Sequence, residues 1–178
     1  MRSMPIIQDR GMLQVMLFAG LRVGEVLALR WEDIDLTKRT LTAKGTKNGT
    51  DHTMPIADPL VHVFREQQAK TGDTELVFPT GNKPNYPRNT IKRVIVATGI
   101  DFSPHDLRRT FATIAEATGS PTTMVKRLLN HTTNSDVTGG YIKTEMETLR
   151  QAVARIAAYI EAKAQGGNVV PIQARKAA

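Results

Sequence analysis

The 178-residue sequence contains no cysteine. Disulfides, thiolate metal sites and a cysteine nucleophile are therefore excluded, and a reducing compartment fits. No stretch is long and apolar enough to span a membrane. The opening Met1-Arg2-Ser3-Met4-Pro5 carries no apolar run, so no signal peptide is expected. There is no internal repeat and no low-complexity tract. The histidines at 52, 62, 105 and 131 form no ligand spacing, so neither a metal nor a cofactor is expected.

What is present describes a globular chain. Apolar residues make up 40% and charged residues 23%, enough for one domain with a real core. The formal charge is +7 and the sequence pI is about 9.9. A basic domain points to a polyanionic partner, of which nucleic acid is the usual one. Charge alone does not separate that reading from a merely basic soluble protein.

Periodicity and turn chemistry divide the chain. Asp9 to Phe18 reads as a helix with Leu13, Met16 and Leu17 on one face, ended by Gly20. A second helix is expected from Val23 to Arg30, which puts Arg22 at a helix start, where free N–H groups favour an anion. Ile34-Asp35-Leu36, Thr40 to Ala43 and His52 to Ile56 are strand candidates, and Asn48-Gly49 is a tight-turn signal that places Lys47 at a hairpin tip. Asp58-Pro59 reads as the cap and first residue of a helix to about Lys70, with Leu60, Val63 and Phe64 inward. Thr80 to Arg88 is a loop, and Asn89 to Ala97 a helix stopped by Gly99. Ser103-Pro104 starts a helix to about Ala117 by the same cap logic, with His105 and Arg108 sharing a face in its first turn. Ser120-Pro121 opens another that ends near Asn130-His131. Thr132 to Gly140 is polar and ends in two glycines, directly before Tyr141, and reads as a mobile loop. Glu145 to about Ala164 is a long helix carrying Leu149, Val153, Ile156 and Ile160. The fold class expected is α+β, mainly helical with a small antiparallel β-sheet.

Breaking a phosphodiester without a metal sets clear requirements. Charge on the non-bridging oxygens must be neutralised, which forked guanidinium donors do well. A nucleophile must attack in line, and the leaving 5′-oxygen must receive a proton. A protein hydroxyl as nucleophile stores the bond energy in a covalent link, so rejoining needs no cofactor. The groups occur in order: Leu21-Arg22-Val23-Gly24-Glu25, then Thr46-Lys47-Asn48-Gly49, then His105-Asp106-Leu107-Arg108-Arg109, then Leu128-Leu129-Asn130-His131, and finally Tyr141.

In these boxes the chain resembles the catalytic domain of a tyrosine recombinase of the phage integrase family, over roughly Asp9 to Arg150. Any one box is weak; four in order, with a tyrosine in the last slot, make a specific signal. The resemblance implies site-specific DNA recombination through a 3′-phosphotyrosyl intermediate. Arg22 and Arg108 would bind the scissile phosphate, Lys47 would protonate the leaving oxygen, His105 would assist proton transfer, His131 would bond a phosphate oxygen and Tyr141 would attack. It also implies double-stranded DNA as partner, self-assembly into a tetramer on DNA, and a cytoplasmic, DNA-associated location in a bacterial or phage-infected cell. The alternatives are topoisomerase-like nicking and resealing by an isolated catalytic domain, and a non-catalytic DNA-binding remnant.

Each residue also has a plainer reading. Lys47 also reads as a solvated hairpin tip, with Lys44 as its competitor across a variable loop. Glu25 either orients Arg22 or only places acid in a helix first turn, the second being slightly favoured. Arg109 is an ion-pair member or a second DNA contact, and Trp31 a core anchor rather than a base stacker. Asn130 stands where glycine is usual in the family, and asparagine also tolerates left-handed backbone angles. The segment from His131 to Tyr141 is about one residue longer than the family pattern. Residues 1–165 are read as the catalytic domain and 166–178 as a tail, with the family's N-terminal core-binding domain absent.

Overall fold

The computed structural model describes residues 7–46, 49–79, 87–131 and 142–166. Among the described residues seven α-helices run in chain order: α1 (Ile7–Ala19), α2 (Val23–Leu27), α3 (Asp58–Thr71), α4 (Arg88–Thr98), α5 (Pro104–Ala117), α6 (Thr122–Leu128) and α7 (Ile142–Ala164). Between α2 and α3 lie strands β1 (Ile34–Asp35), β2 (Thr40–Ala43) and β3 (His52–Pro55). They form an antiparallel sheet in the order β1-β2-β3, with Leu41 opposite Met54 and Ala43 opposite His52. The expected class, mainly helical with a small antiparallel sheet, is the one observed.

α1 is the centre of the core. It packs on α3 and α5; α5 packs in turn on α7, and α7 on β3. Its most buried stripe is Met12, Val15, Met16 and Ala19, while Leu13 and Leu17 pack at the margin. The expected face was thus rotated, because α1 is covered on more than one side and apolar residues occur all round it. Leu60, Val63 and Phe64 of α3 face inward as expected, and so do Leu149, Val153, Ile156 and Ile160 of α7.

Several helix boundaries differ from the sequence reading; α1 begins at Ile7 rather than Asp9 and α7 at Ile142 rather than Glu145. α2 stops at Leu27 rather than Arg30. Backbone bonds from Val77 N–H to the Leu29 carbonyl (2.9 Å) and from Trp31 N–H to the Glu75 carbonyl (3.1 Å) pull residues 29–31 into an extended bridge. Tertiary pairing overrides propensity here. α3 is capped by Ala57 rather than Asp58, whose carboxylate pairs with Arg39 at 2.5 Å. α6 is capped by Pro121 rather than Ser120 and starts at Thr122. At α5 the cap logic holds: Asp106 accepts from both the N–H (2.9 Å) and hydroxyl (2.6 Å) of Ser103. Trp31 donates its indole N–H to the Thr71 carbonyl at 2.8 Å and packs against the core, as an anchor would.

Lys47, Tyr141, the loops at 80–86 and 132–140 and the tail from 167 lie outside the described residues. Of the Asn48-Gly49 turn, Gly49 is described, with φ 76° and its N–H bonded to the Thr46 carbonyl at 2.8 Å. No helix among the described residues is long and apolar enough to cross a membrane.

Candidate active site

Arg108 is the structural centre of the candidate site. It lies one turn into α5 and is only 5% exposed. A buried guanidinium needs acceptors, and it finds them on two distant backbone segments. Nη1 donates to the Gly20 carbonyl at 2.5 Å and Nη2 to the Leu129 carbonyl at 2.5 Å. Gly20 ends α1 with φ 65°, and a side chain there would sit 2.6 Å from the Phe111 ring. Only glycine therefore suits the turn that aims this carbonyl at Arg108.

Arg22 reaches the same place from the cap of α2. Glu25 holds it twice: Oε2 accepts the Arg22 backbone N–H at 2.8 Å, and Oε1 pairs with Nη1 at 2.8 Å. The same carboxylate lies 4.0 Å from Arg108 Nη1, and its side chain is 8% exposed. Glu25 thus caps α2 and orients both arginines, which corrects the slight preference for a mere first-turn acid. Burial first, and the repulsion of Arg22 second, pull Arg108 down to about 10. It stays charged at neutral pH, and two guanidiniums so close form a natural seat for a phosphate.

His131 follows α6. Asn130 before it has φ 49°, the left-handed angle that asparagine tolerates. Partial burial, then the positive fields of Arg108, Arg22 and Lys126, hold the imidazole below its ordinary pKa. A neutral ring that still carries one N–H is suited to donating to an anion. His105 occupies the exposed first turn of α5, three residues before Arg108. The fold therefore brings Arg22, Arg108 and His131 together and sets His105 one turn away. Arg109 pairs with Asp106 at 3.4 Å on the exposed side of α5.

Lys44 is committed elsewhere. Its Nζ lies 2.7 Å from Asp33 Oδ1 and 2.9 Å from Glu32 Oε1. Hydrogen bonds to these two carboxylates push its pKa up to about 12. Lys44, the alternative to Lys47, is thus paired with two carboxylates.

The hairpin that bears Lys47 is tied to the end of α6. Asn130 Nδ2 donates to Thr46 Oγ1 at 2.9 Å, and His52 Nε2 donates to the Leu128 carbonyl at 3.0 Å. Sequence reading assigned His52 no role. The period-2 pattern of β3, which turns it to the same face as the buried Met54, was the available signal. Thr50, Asp51, His52, Arg127, Asn130, His131 and Glu145 are among the residues around a cavity of about 400 Å³ between the hairpin, α6 and α7. Arg127 closes one side through a forked pair with Glu145, at 2.7 Å and 3.1 Å.

Two guanidiniums thus share one buried carboxylate, with an imidazole beside them, on a mainly helical fold. The Phage integrase family model matches residues 3–148, and the chain belongs to that family. It is similar to the tyrosine recombinase XerA of Pyrococcus furiosus, 32% identical over 157 residues, which cover 84% of this chain and 54% of that protein. The chain thus spans about half the length of the curated relatives it matches. Among solved structures, the fold is similar to the integrase from mycobacterium phage Brujita, with TM-score 0.67 and 23% identity over 88% of this chain and 53% of that one. It is also similar to the lambda integrase catalytic core, with TM-score 0.56 and 22% identity over 72% of this chain and 82% of that one.

Proposed function

We propose that this chain is the strand-breaking and rejoining part of a site-specific DNA recombinase that acts on double-stranded DNA in the cytoplasm. The observation that carries the reading is the pairing of Arg22 with buried Arg108 around Glu25, with His131 beside them. The scissile phosphate sits between the two guanidiniums, which neutralise its non-bridging oxygens as charge builds in the transition state. His131 donates to one of those oxygens. The phenol oxygen of Tyr141 attacks phosphorus, its proton passing through His105. The bond from phosphorus to the 5′-oxygen breaks, and Lys47 gives that oxygen a proton. A 3′-phosphotyrosyl link remains, and an incoming 5′-hydroxyl reverses the sequence.

Recombination needs four such units around two duplexes. A lambda integrase tetramer bound to a Holliday junction is among the similar folds, which supports a tetramer here. The roles of Arg22, Lys47, His105, Arg108, His131 and Tyr141 rest on the order of the sequence boxes and, for the four described, on their placement.

The test is direct. The protein is incubated with supercoiled plasmid and with nicked duplexes, and an SDS-resistant protein–DNA adduct is sought and its position mapped. An adduct lost in Tyr141→Phe supports the reading, and joined recombinant product supports full strand exchange. Plasmid relaxation with an adduct but no recombinant product would reduce the activity to nicking and resealing. Binding with no adduct would leave a DNA-binding remnant and refute the proposal.

A further inference from the structure

Three successive residues at the end of α6 each hold a different part of the candidate site. The Leu128 carbonyl accepts from His52 Nε2 on β3 at 3.0 Å. The Leu129 carbonyl accepts from Arg108 Nη2 at 2.5 Å. Asn130 donates its side-chain amide to Thr46 Oγ1 at 2.9 Å. His131 comes next in the chain. The phosphate-binding arginine and both flanks of the β2–β3 hairpin are thus fastened to one short turn.

The polarity of the Asn130 contact is fixed. Thr46 Oγ1 spends its single hydrogen on the Thr50 carbonyl at 2.8 Å, so towards Asn130 it can only accept. Thr46 is itself 5% exposed, which removes water as an easy substitute partner. A glycine at position 130 would satisfy the positive φ of 49° and lose the contact. The asparagine therefore brings something its backbone angle does not require.

We infer that Asn130 and His52 are positioning residues, forming a clasp that sets where the β2–β3 hairpin, and with it the general acid, stands relative to Arg108. This deepens the proposed function and rests on it for the role of Lys47. The clasp itself rests only on the contacts above.

Two measurements test it. The first is hydrogen exchange, with no DNA present. In Asn130→Gly, and in Thr46→Val as a second variant, amides of residues 49–54 should exchange about tenfold faster or more while those of α1 and α3 keep their protection. Unchanged exchange in the hairpin would overturn the clasp, and equal loss across α1 and α3 would show a general weakening of the fold instead. The second uses duplexes carrying the site mapped by the adduct experiment, made with either oxygen or sulfur at the bridging 5′ position. A thiol ionises near pH 8.5, so sulfur leaves without needing a proton. A misplaced acid should slow cleavage of the oxygen substrate about 10- to 100-fold in Asn130→Gly. The sulfur substrate should bring that variant to within about threefold of the parent protein, as it should Lys47→Ala, since only acid catalysis is bypassed. Equal slowing on both substrates, or none on either, would overturn the positioning role. If Lys47→Ala is not rescued, the assignment of Lys47 fails while the exchange result still judges the clasp. If the parent protein forms no adduct on any DNA, the recombinase reading fails and exchange alone decides.

Discussion

Replacing Glu25 with glutamine removes one negative charge and keeps the shape and an acceptor oxygen. The carboxylate is 8% exposed and stands 2.8 Å from Arg22 Nη1 and 4.0 Å from Arg108 Nη1. At that second separation and an effective dielectric of about 20, a unit charge pair is worth about 4 kcal/mol. Two effects reduce this. Arg108 keeps the Gly20 and Leu129 carbonyls, and the neutral variant no longer carries the desolvation cost of a buried carboxylate, so we expect a loss of about 2–3 kcal/mol. Arg22 is 32% exposed, and its share is about 1 kcal/mol or less, within that figure. For a domain of this size the melting temperature should fall by about 5–10 °C. The deficit should also be repaired by an anion. Sulfate, with the charge and shape of the scissile phosphate, meets repulsion from Glu25 in the parent protein and none in Glu25→Gln. Its stabilisation grows with occupancy, so sulfate should raise the melting temperature of the variant more than that of the parent, with chloride at equal ionic strength as control. Thermal scans of both proteins across a sulfate series decide the matter. A loss under about 0.5 kcal/mol, the range of an ordinary surface change, or identical sulfate responses, would mean that Glu25 does not balance the two guanidiniums.

Gly20→Ala should cost about 2–4 kcal/mol by chemical denaturation, because the new Cβ meets Phe111 at 2.6 Å on a left-handed backbone; a loss under about 1 kcal/mol would refute the close fit. His52 is held below its ordinary pKa mainly by burial. The unfolded chain therefore binds the proton first, and stability should be full above about pH 6.5 and fall as pH drops below it. Denaturation midpoints of the parent and His52→Gln between pH 8 and pH 5 should show a smaller acid loss in the variant; parallel curves would count against it. Lys44→Met should lower the melting temperature by leaving Asp33, 7% exposed, without its cation, yet retain adduct formation. Lys47→Met should do the reverse, and loss of the adduct in Lys44→Met at a temperature where it is folded would return the acid role to Lys44.

Much of the fold was legible locally. Helical spacing located α3 and α7 and their inward faces, a serine–proline pair located the start of α5, and the three short strands were visible from turn residues. These signals lie within a few residues of one another, so propensity and capping carry them. Two departures trace to tertiary packing: the 75–77 stretch pairs with the end of α2, and cover on several sides blurs the face of α1.

The candidate site divides in the same way. The sequence by itself determined which side chains were available and in what order, Arg22, Lys47, His105, Arg108, His131 and Tyr141, because residue type and spacing are covalent facts. Only the tertiary structure decided that Glu25 serves two arginines, that Lys44 is spent on Glu32 and Asp33, and that Asn130 and His52 hold the hairpin. Those contacts join groups up to 84 residues apart. They form where burial leaves a charge or a polar atom in need of a partner, and the nearest partner in space bears no fixed relation to the nearest in sequence.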